Sequence, residues 1–272
     1  MLRRLHPRNL ARHLNQGRRN QRCGAHQARC GVLGSWLVCP ERIFLPGLWG
    51  MHVAELWRYP VKSMAGETLR ESDIRAGGMP GDRIVHVENG RGQILTARTH
   101  PRLLGFRARL GADGEPLVDD RPWSDPQIAG RLRAAVGPGA RLVSDEGVGR
   151  FDVLPLLVAT DGSIAALGVD HRRLRPNIVV GGVEGLAERD WPGRRLRVGR
   201  AVIEVGKLRG RCVMTTYDPD TQEQDMSVLK RIVREFGGRM ALDCSVVEPG
   251  WVALGDPVEV LELNRRGRST SQ

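Results

Sequence analysis

An arginine and a cysteine stand side by side at Arg211 and Cys212, and this pair could do chemistry. A guanidinium group beside a thiol favours the thiolate, the form that binds metals and attacks electrophiles. Cysteine is also common as a small buried apolar residue, and both Cys212 and Cys244 fit that reading. Because Cys212 has an arginine next to it and Cys244 does not, Cys212 is the better candidate of the two for metal binding or nucleophilic attack.

Several basic and hydroxyl or amide side chains stand where predicted strands end. These residues are Lys62 and Ser63 after Pro60, Arg83, Arg98, Arg175 and Asn177. Guanidinium groups and unpaired backbone N–H groups at strand ends bind phosphate or carboxylate oxygens. Each residue alone is typical of a solvated charge, but the set predicts a site for an anionic ligand.

The usual catalytic signatures are missing from the sequence. It has no GxGxxG, GxxxxGK[ST], HExxH, GxSxG or CxxC motif. Dinucleotide, P-loop, zinc protease, α/β-hydrolase and dithiol chemistry therefore have no support from motifs.

The composition favours a fold that is mainly β with a few short helices, of the α+β class. Only 4% of the residues are aromatic, whereas there are 34 glycines and 16 prolines, which suits short strands joined by turns. Asn89-Gly90 between the runs 83–87 and 93–97 predicts a hairpin. The segment Cys212–Thr216 reads as a strand that ends at Asp218-Pro219.

Two segments have the periodicity of helices, 128–136 and 227–236. In the second, Ser227 is the predicted N-cap and Gly237 the predicted end. Its apolar face is predicted from residues spaced three, four and seven apart, namely Val228, Leu229, Ile232, Val233 and Phe236.

The positive charge of the chain is concentrated at its start. Of the formal net charge of +11, residues 1–50 carry +8, with nine arginines and one acidic residue. The nearly balanced remainder does not favour nucleic acid as a partner. We expect a basic, disordered extension over 1–50, with Met51 as the natural start, because strand patterning begins there.

Cysteine usage indicates a reducing compartment. Only Cys212 and Cys244 lie beyond residue 50, and no apolar run is long enough to span a membrane. The predicted location is the cytoplasm.

Six segments in order resemble MOSC-domain proteins. They are YPVKSMAG, GDRIVHV, LTARTHPRL, RPNIVV, GRCVMTTYDPDT and LGDPVEVLE, spread over residues 59–262. The chain is similar to the mitochondrial amidoxime-reducing component and its bacterial relatives. The resemblance implies an N-terminal β-barrel-like domain (51–146) packed on a MOSC β-barrel domain (147–264), followed by a tail at 265–272.

The resemblance also implies a molybdenum cofactor, that is, molybdopterin with molybdenum. Cys212 would be the metal ligand and the catalytic residue. The implied cofactor-binding residues are Lys62, Ser63, Arg83, Arg175, Asn177, Arg211 and Cys212. The implied reaction is reduction of an N-oxygenated small molecule, with electrons from a separate electron-transfer protein.

Two departures and two alternatives accompany this interpretation. Gly210 stands where close relatives have serine, and no ferredoxin-like cysteine cluster follows the MOSC segment. Cys212 could instead carry sulfur as a persulfide, or the protein could store or deliver the cofactor without turnover.

Overall fold

The computed structural model describes residues 50–144 and 150–262, all within one compact unit. Residues 1–49 of the predicted extension, the predicted domain limit at 146 and 147, and the tail at 265–272 lie outside these residues. Strand is the commonest secondary structure in the described residues, which confirms the predicted mainly β fold with short helices.

The strands in the described ranges are β1 His52–Arg58, β2 Glu67–Leu69, β3 Glu71–Ile74, β4 Val85–Glu88, β5 Ile94–Leu95, β6 Ala108–Leu110, β7 Pro116–Val118, β8 Arg121–Pro122, β9 Arg141–Ser144, β10 Leu156–Thr160, β11 Ile178–Gly181, β12 Arg195–Val198, β13 Ala201–Gly210, β14 Arg239–Glu248, β15 Gly250–Ala253 and β16 Val258–Leu261. The helices there are α1 Pro126–Val136, α2 Asp161–Leu167 and α3 Met226–Phe236. The 3₁₀ helices there are Pro101–Gly105, His171–Arg173, Ala187–Asp190 and Val213–Thr216.

The largest sheet has the strand order β16-β12-β13-β14-β10-β11-β1-β2. Its pairs are antiparallel except for β10 and β11, which run parallel. The start of β1 also meets the start of β16. The Val258 N–H donates to the Met51 carbonyl at 2.8 Å, and the Val53 N–H donates to the Asp256 carbonyl at 2.9 Å. These bonds join β1 to the edge strand β16, so that the sheet approaches a closed barrel. Its interior contains buried apolar residues such as Leu56 and Leu196.

Strands from both predicted domains share this sheet. β1 and β2 precede residue 146, yet β1 pairs with β11 from the second half. Other early strands surround a second apolar core, which includes Val87, Leu103 and Ile128. The predicted domain limits at 146 and 147 stay a prediction.

The hairpin and both helices predicted from the sequence are present, with small differences. β4 and β5 pair antiparallel across Asn89-Gly90. α3 begins one residue early because Asp225, rather than Ser227, is the N-cap and accepts a hydrogen bond from the Ser227 N–H at 2.9 Å. Val233 is 59% exposed, so its predicted place on the buried face is wrong.

The predicted strand over Cys212–Thr216 is also wrong. β13 ends at Gly210, and Val213–Thr216 is a 3₁₀ helix. The Thr215 hydroxyl donates to the Cys212 carbonyl at 2.9 Å and the Thr216 hydroxyl donates to the Val213 carbonyl at 2.7 Å. These local bonds use carbonyls that a sheet ladder would need, which explains why two threonines do not extend the strand.

Candidate cofactor site

One cavity, here called the first cavity, is lined by every residue singled out in the sequence as a cofactor ligand. Its lining includes the seven residues Lys62, Ser63, Arg83, Arg175, Asn177, Arg211 and Cys212. The fold therefore brings together side chains that lie up to 150 positions apart in the sequence. Their roles in binding stay predictions.

Cys212 stands between the end of β13 and the 3₁₀ helix, as the residue before that helix. It is a partly buried free thiol that lines the first cavity. The other described thiol, Cys244, is completely buried in β14, and burial raises the pKa of its thiol far above the usual range. Only Cys212 of these two can reach a ligand in the cavity.

The segment that follows Cys212 is tied to the 171–175 region by Arg173. The Arg173 guanidinium donates to the Thr216 carbonyl at 2.9 Å and to the Asp218 carboxylate at 3.0 Å. Hydrogen bonds between a cation and a carboxylate are stronger than neutral ones. Arg173 therefore fixes the 3₁₀ helix and the turn that begins at Asp218.

Three of the lining residues have a backbone conformation that side chains rarely adopt. The φ angles of Ser63, Arg83 and Arg175 are 70°, 56° and 57°, in the left-handed region. Non-glycine residues there cost about 1 kcal/mol or more each and cluster at functional sites. At Arg83 the conformation is held by a backbone hydrogen bond from its N–H to the Tyr59 carbonyl at 2.7 Å.

Two of the arginines pack on one buried aromatic ring. The Arg175 guanidinium carbon lies 4.2 Å from the centroid of the Tyr59 ring, and that of Arg83 lies 5.1 Å from it. The Tyr59 hydroxyl donates to the Pro176 carbonyl at 3.1 Å, and burial raises the pKa of Tyr59. A neutral ring in this place stabilises two neighbouring cations through its π face. Arg83 also forms an ion pair with the buried Asp82.

Positive charge in the first cavity is incompletely compensated. Among the described residues, the buried Nη2 of Arg175 and the buried Nε of Arg211 have no hydrogen-bond partner. Burial lowers the pKa of both guanidinium groups to about 10, and like charges at Arg83 and Arg209 act in the same direction. Because buried donors without partners are costly, an anionic group in the cavity would be strongly favoured. These donors fit a phosphate-bearing cofactor.

Lys62 and Arg98 share a carboxylate in the first cavity. The Lys62 ammonium lies 3.0 Å from one oxygen of Asp152, and an Arg98 N–H donates to the other at 2.6 Å. Although burial alone would raise the pKa of Asp152, the two cations hold it below its usual range. Asp152 is not among the predicted site residues. It forms ion pairs with two cations that an anionic ligand would otherwise bind.

Replacing Asp152 with asparagine is expected to strengthen the binding of inorganic pyrophosphate about threefold to fivefold, because the competing negative charge is removed. Titration calorimetry at low salt measures this affinity. Asp73→Asn is the matched control, since Asp73 pairs with Arg75 on the surface and does not line the cavity. Weaker binding by Asp152→Asn would mean that Asp152 holds Lys62 in place for the ligand.

Asn177 lines the first cavity, but its amide is engaged elsewhere. Its Oδ1 accepts from the Leu157 N–H at 3.1 Å and its Nδ2 donates to the Trp57 carbonyl at 3.3 Å. These bonds join β1 and β10 to the start of β11. Asn177 therefore shapes the cavity, and at most one N–H of its amide remains to bind a ligand.

A buried ion pair that the sequence analysis missed supports the wall beside Cys212. The Arg209 Nε lies 2.7 Å from Oδ1 of Asp243, whose side chain is fully buried. Burial raises the pKa of Asp243 although Arg209 opposes this. The pair arises because β13 lies against β14, with Leu208 opposite Leu242.

Gly210, where the family resemblance implies a serine, borders open space. A Cβ atom built at Gly210 meets no heavy atom within 4 Å, and the residue lines the first cavity. The missing side chain therefore widens the cavity next to Arg211 and Cys212 without any steric requirement for glycine.

Within residues 50–144 and 150–262, no three His, Cys, Asp or Glu side chains lie close enough together to hold a metal ion. A metal bound by Cys212 would have to bring further ligands with it, as a metal cofactor does. Over the same ranges no helix has both the length and the apolar character needed to cross a membrane.

Two family models match the chain, one on each half. Residues 50–150 match the MOSC N-terminal beta barrel domain, and residues 158–259 match the MOSC domain. The cavity with Cys212 takes residues from both matched regions.

Curated relatives extend this similarity over most of the chain. The chain is 27% identical to mitochondrial amidoxime-reducing component 1 of Homo sapiens, covering 77% of this chain and 82% of the human protein. It is 29% identical to mitochondrial amidoxime reducing component 2 of Macaca fascicularis, covering 76% and 82%. A segment of 68 residues is 40% identical to the molybdenum cofactor sulfurase of Anopheles gambiae, covering 25% of this chain and 9% of that protein.

Proposed function

The chain is a MOSC-domain protein with a MOSC N-terminal beta barrel domain, and we propose that it binds a molybdenum cofactor and reduces N-oxygenated compounds. The observation that carries this proposal is a cavity with a partly buried free thiol and with buried guanidinium donors that have no partner in the described part of the chain. A thiolate suits a soft metal, and planar cations suit a phosphate group. Similarity to two amidoxime-reducing components supports the reaction class.

The side chains of the first cavity have different roles in the proposed cofactor site. Cys212 would be the protein ligand to molybdenum. The cofactor phosphate would be held by the cations and the hydroxyl of the first cavity, which are Lys62, Ser63, Arg83, Arg175 and Arg211. Asn177 would mainly hold β1 and β10 in place around the cofactor, because most of its amide is already hydrogen-bonded to these strands.

The proposed reduction needs electrons from an external donor. Reduction of an amidoxime to an amidine breaks the N–O bond, consumes two electrons and two protons, and releases one water molecule. When bound, the cofactor would supply a metal centre able to change its oxidation state by those two electrons. The electrons would come from a separate electron-transfer protein, and this partner and the cytoplasmic location stay predictions.

Protein produced in a host that makes the cofactor tests the proposal. We expect close to stoichiometric molybdenum and pterin in the purified protein, and reduction of an amidoxime when a chemically reduced viologen dye supplies electrons. Metal analysis, pterin fluorescence and detection of the amidine measure the three quantities. Purified protein without molybdenum, or with molybdenum and no turnover, would contradict the reductase.

The segment shared with a molybdenum cofactor sulfurase favours one second candidate, a sulfur carrier. In that function Cys212 would hold a persulfide, and the purified protein would contain neither metal nor pterin. Mass spectrometry of the intact chain, before and after treatment with a thiol reductant, distinguishes the persulfide from the free thiol.

A further inference from the structure

Arg209 lines the first cavity but has no role in the cofactor site as proposed above. Its side chain is 18% exposed, and its Nε lies 2.7 Å from Oδ1 of Asp243. No other carboxylate of the described residues lies within ion-pair distance of Arg209, and neither of its Nη groups donates a hydrogen bond to those residues. A guanidinium group has five N–H donors, so Arg209 keeps its Nη donors for a ligand.

A β-bulge lies at Arg209, near the end of β13. The pairing of β13 with β14 shifts register between Leu208 and Gly210, so that Arg209 alone stands opposite two residues of β14. One of these two, Ala241, has a φ angle of 63°, in the left-handed region. Bulges change the direction of side chains and are common beside active sites. A bulge three residues before Cys212 therefore fits a role of Arg209 in the site.

Asp243 contacts Arg209 from outside the cavity. The Asp243 side chain is fully buried and does not line the first cavity. Lys207 pairs with Asp243 across the two strands, so Arg209, two residues further along, is the diagonal neighbour of Asp243 on the same face. Diagonal neighbours are within reach of long side chains. Because Asp243 contacts the guanidinium at Nε, it fixes the arginine without using the Nη donors.

Arg209 belongs to a group of cations that outnumber the carboxylates around them. Seven Lys or Arg side chains line the first cavity, whereas Asp152 is the single carboxylate in its described lining. Burial lowers the pKa of Arg211 to about 10, and the charge of Arg209 lowers it too. Burial would raise the pKa of Asp152, but Arg209 and two other cations hold it below its usual range. The charge of Arg209 thus acts inside the cavity, where repulsion between cations favours an anionic ligand.

We propose that Arg209 is a further cofactor-binding residue, whose Nη groups donate to the phosphate of the cofactor, and that Asp243 is its positioning residue. This inference rests on the proposed cofactor binding and adds two residues that the resemblance to MOSC-domain proteins does not imply. A guanidinium fixed at Nε presents its two Nη groups as a planar fork that matches phosphate oxygens. Gly210 has no side chain that would restrict the approach of a ligand beside this fork.

Titration of the metal-free full chain with inorganic pyrophosphate tests the role of Arg209. The protein is produced in a host that does not make the cofactor, and calorimetry at low salt measures the affinity. Binding should be about tenfold weaker in Arg209→Gln, as expected for loss of a charge-assisted hydrogen bond. Arg209→Lys keeps the charge without the planar fork, and its binding should be about threefold weaker. Circular dichroism shows whether each variant is folded.

Arg58→Gln is the matched control for Arg209→Gln. The Arg58 side chain is also 18% exposed and also pairs with a carboxylate, that of Glu67, at 2.9 Å. Arg58 does not line the first cavity. Its replacement should leave the pyrophosphate affinity unchanged. An equal loss of affinity in both variants would assign the effect to net charge and would refute a contact between Arg209 and the ligand.

Asp243→Asn separates positioning from the simple effect of charge. Removal of a negative charge near the cavity would by itself strengthen pyrophosphate binding, as expected for Asp152→Asn. If Asp243 positions Arg209, binding in Asp243→Asn should instead be about threefold weaker, and Asp243→Asn should cause no further loss when Arg209→Gln is already present. Stronger binding by Asp243→Asn would overturn the positioning role.

Protein loaded with cofactor shows whether the phosphate bound by Arg209 is that of the cofactor. Pterin fluorescence during dialysis should show release about tenfold faster from Arg209→Gln than from the wild type, because affinity differences between variants lie mainly in the dissociation rate. Arg58→Gln should release pterin at the wild-type rate. Weaker pyrophosphate binding with unchanged pterin release would restrict Arg209 to free phosphate and overturn its role towards the cofactor. Absence of pterin from every protein would instead defeat the proposed function, while the titration would still decide whether Arg209 binds phosphate.

Discussion

Replacement of Cys212 with alanine is expected to give a folded protein that contains less than about one tenth of the wild-type molybdenum. Cys212 is the one described thiol that lines the first cavity, and no cluster of His, Cys, Asp or Glu among the described residues offers a substitute site. Loss of a metal–thiolate bond removes several kcal/mol of binding free energy, which corresponds to several powers of ten in affinity. Molybdenum is measured by plasma mass spectrometry of purified protein.

Cys244→Ala is the matched control for this experiment. Cys244 is fully buried, its thiol donates only weakly to the Leu242 carbonyl at 3.7 Å, and it does not line the first cavity. We expect this variant to lose about 1 kcal/mol of unfolding free energy and to keep its molybdenum. The two variants thus separate loss of the metal ligand from loss of packing.

Pterin content adds a second distinction. The cations of the first cavity remain in Cys212→Ala, so some metal-free pterin should still bind to them. Equal molybdenum in Cys212→Ala and the wild type would refute the thiolate ligand. Loss of both metal and pterin with unchanged folding would mean that the thiolate is needed for the cavity to hold any part of the cofactor.

The basic residues of the site could be recognised from the sequence because their chemistry is local. Lys62 lies shortly after β1, whereas Arg83 and Arg175 lie shortly before β4 and β11, and a cation near the end of a strand is a recognisable anion-binding pattern. The left-handed φ angles of Arg83 and Arg175 could not be foreseen, since arginine seldom adopts them. That conformation depends on neighbours such as Tyr59, which accepts the Arg83 N–H.

Residues whose role depends on pairing between distant segments were missed. Asp152 lies 54 positions from its partner Arg98, which the sequence does indicate, and Asp243 meets Arg209 only because β13 and β14 are neighbours. The 3₁₀ helix after Cys212 was read as a strand because threonine favours strands, whereas hydroxyl bonds to carbonyls three residues earlier decide the local structure.

Arg209→Leu is expected to destabilise the protein by about 3 kcal/mol, at the low end of values for breaking a buried ion pair. The Asp243 side chain is fully buried, so loss of Arg209 leaves a carboxylate without its nearest positive charge. Asp243→Asn should cost only about 1 kcal/mol, because the Arg209 side chain is 18% exposed and keeps some contact with solvent. Urea unfolding measures both free energies.

The pH dependence of Arg209→Leu tests the cause of its instability. Burial already raises the pKa of Asp243 above its usual value in the folded wild type, and removal of Arg209 should raise it further. A carboxyl with a raised folded-state pKa contributes stability that is complete below its unfolded value, about 3.9, and is lost as the pH rises through the folded value. The deficit of Arg209→Leu should therefore shrink towards pH 4 and grow above it. In Arg209→Leu/Asp243→Asn, which lacks the buried carboxylate at position 243, the deficit should be smaller at neutral pH and nearly independent of pH. A deficit in Arg209→Leu that does not vary with pH would assign the loss to packing of the arginine stem instead.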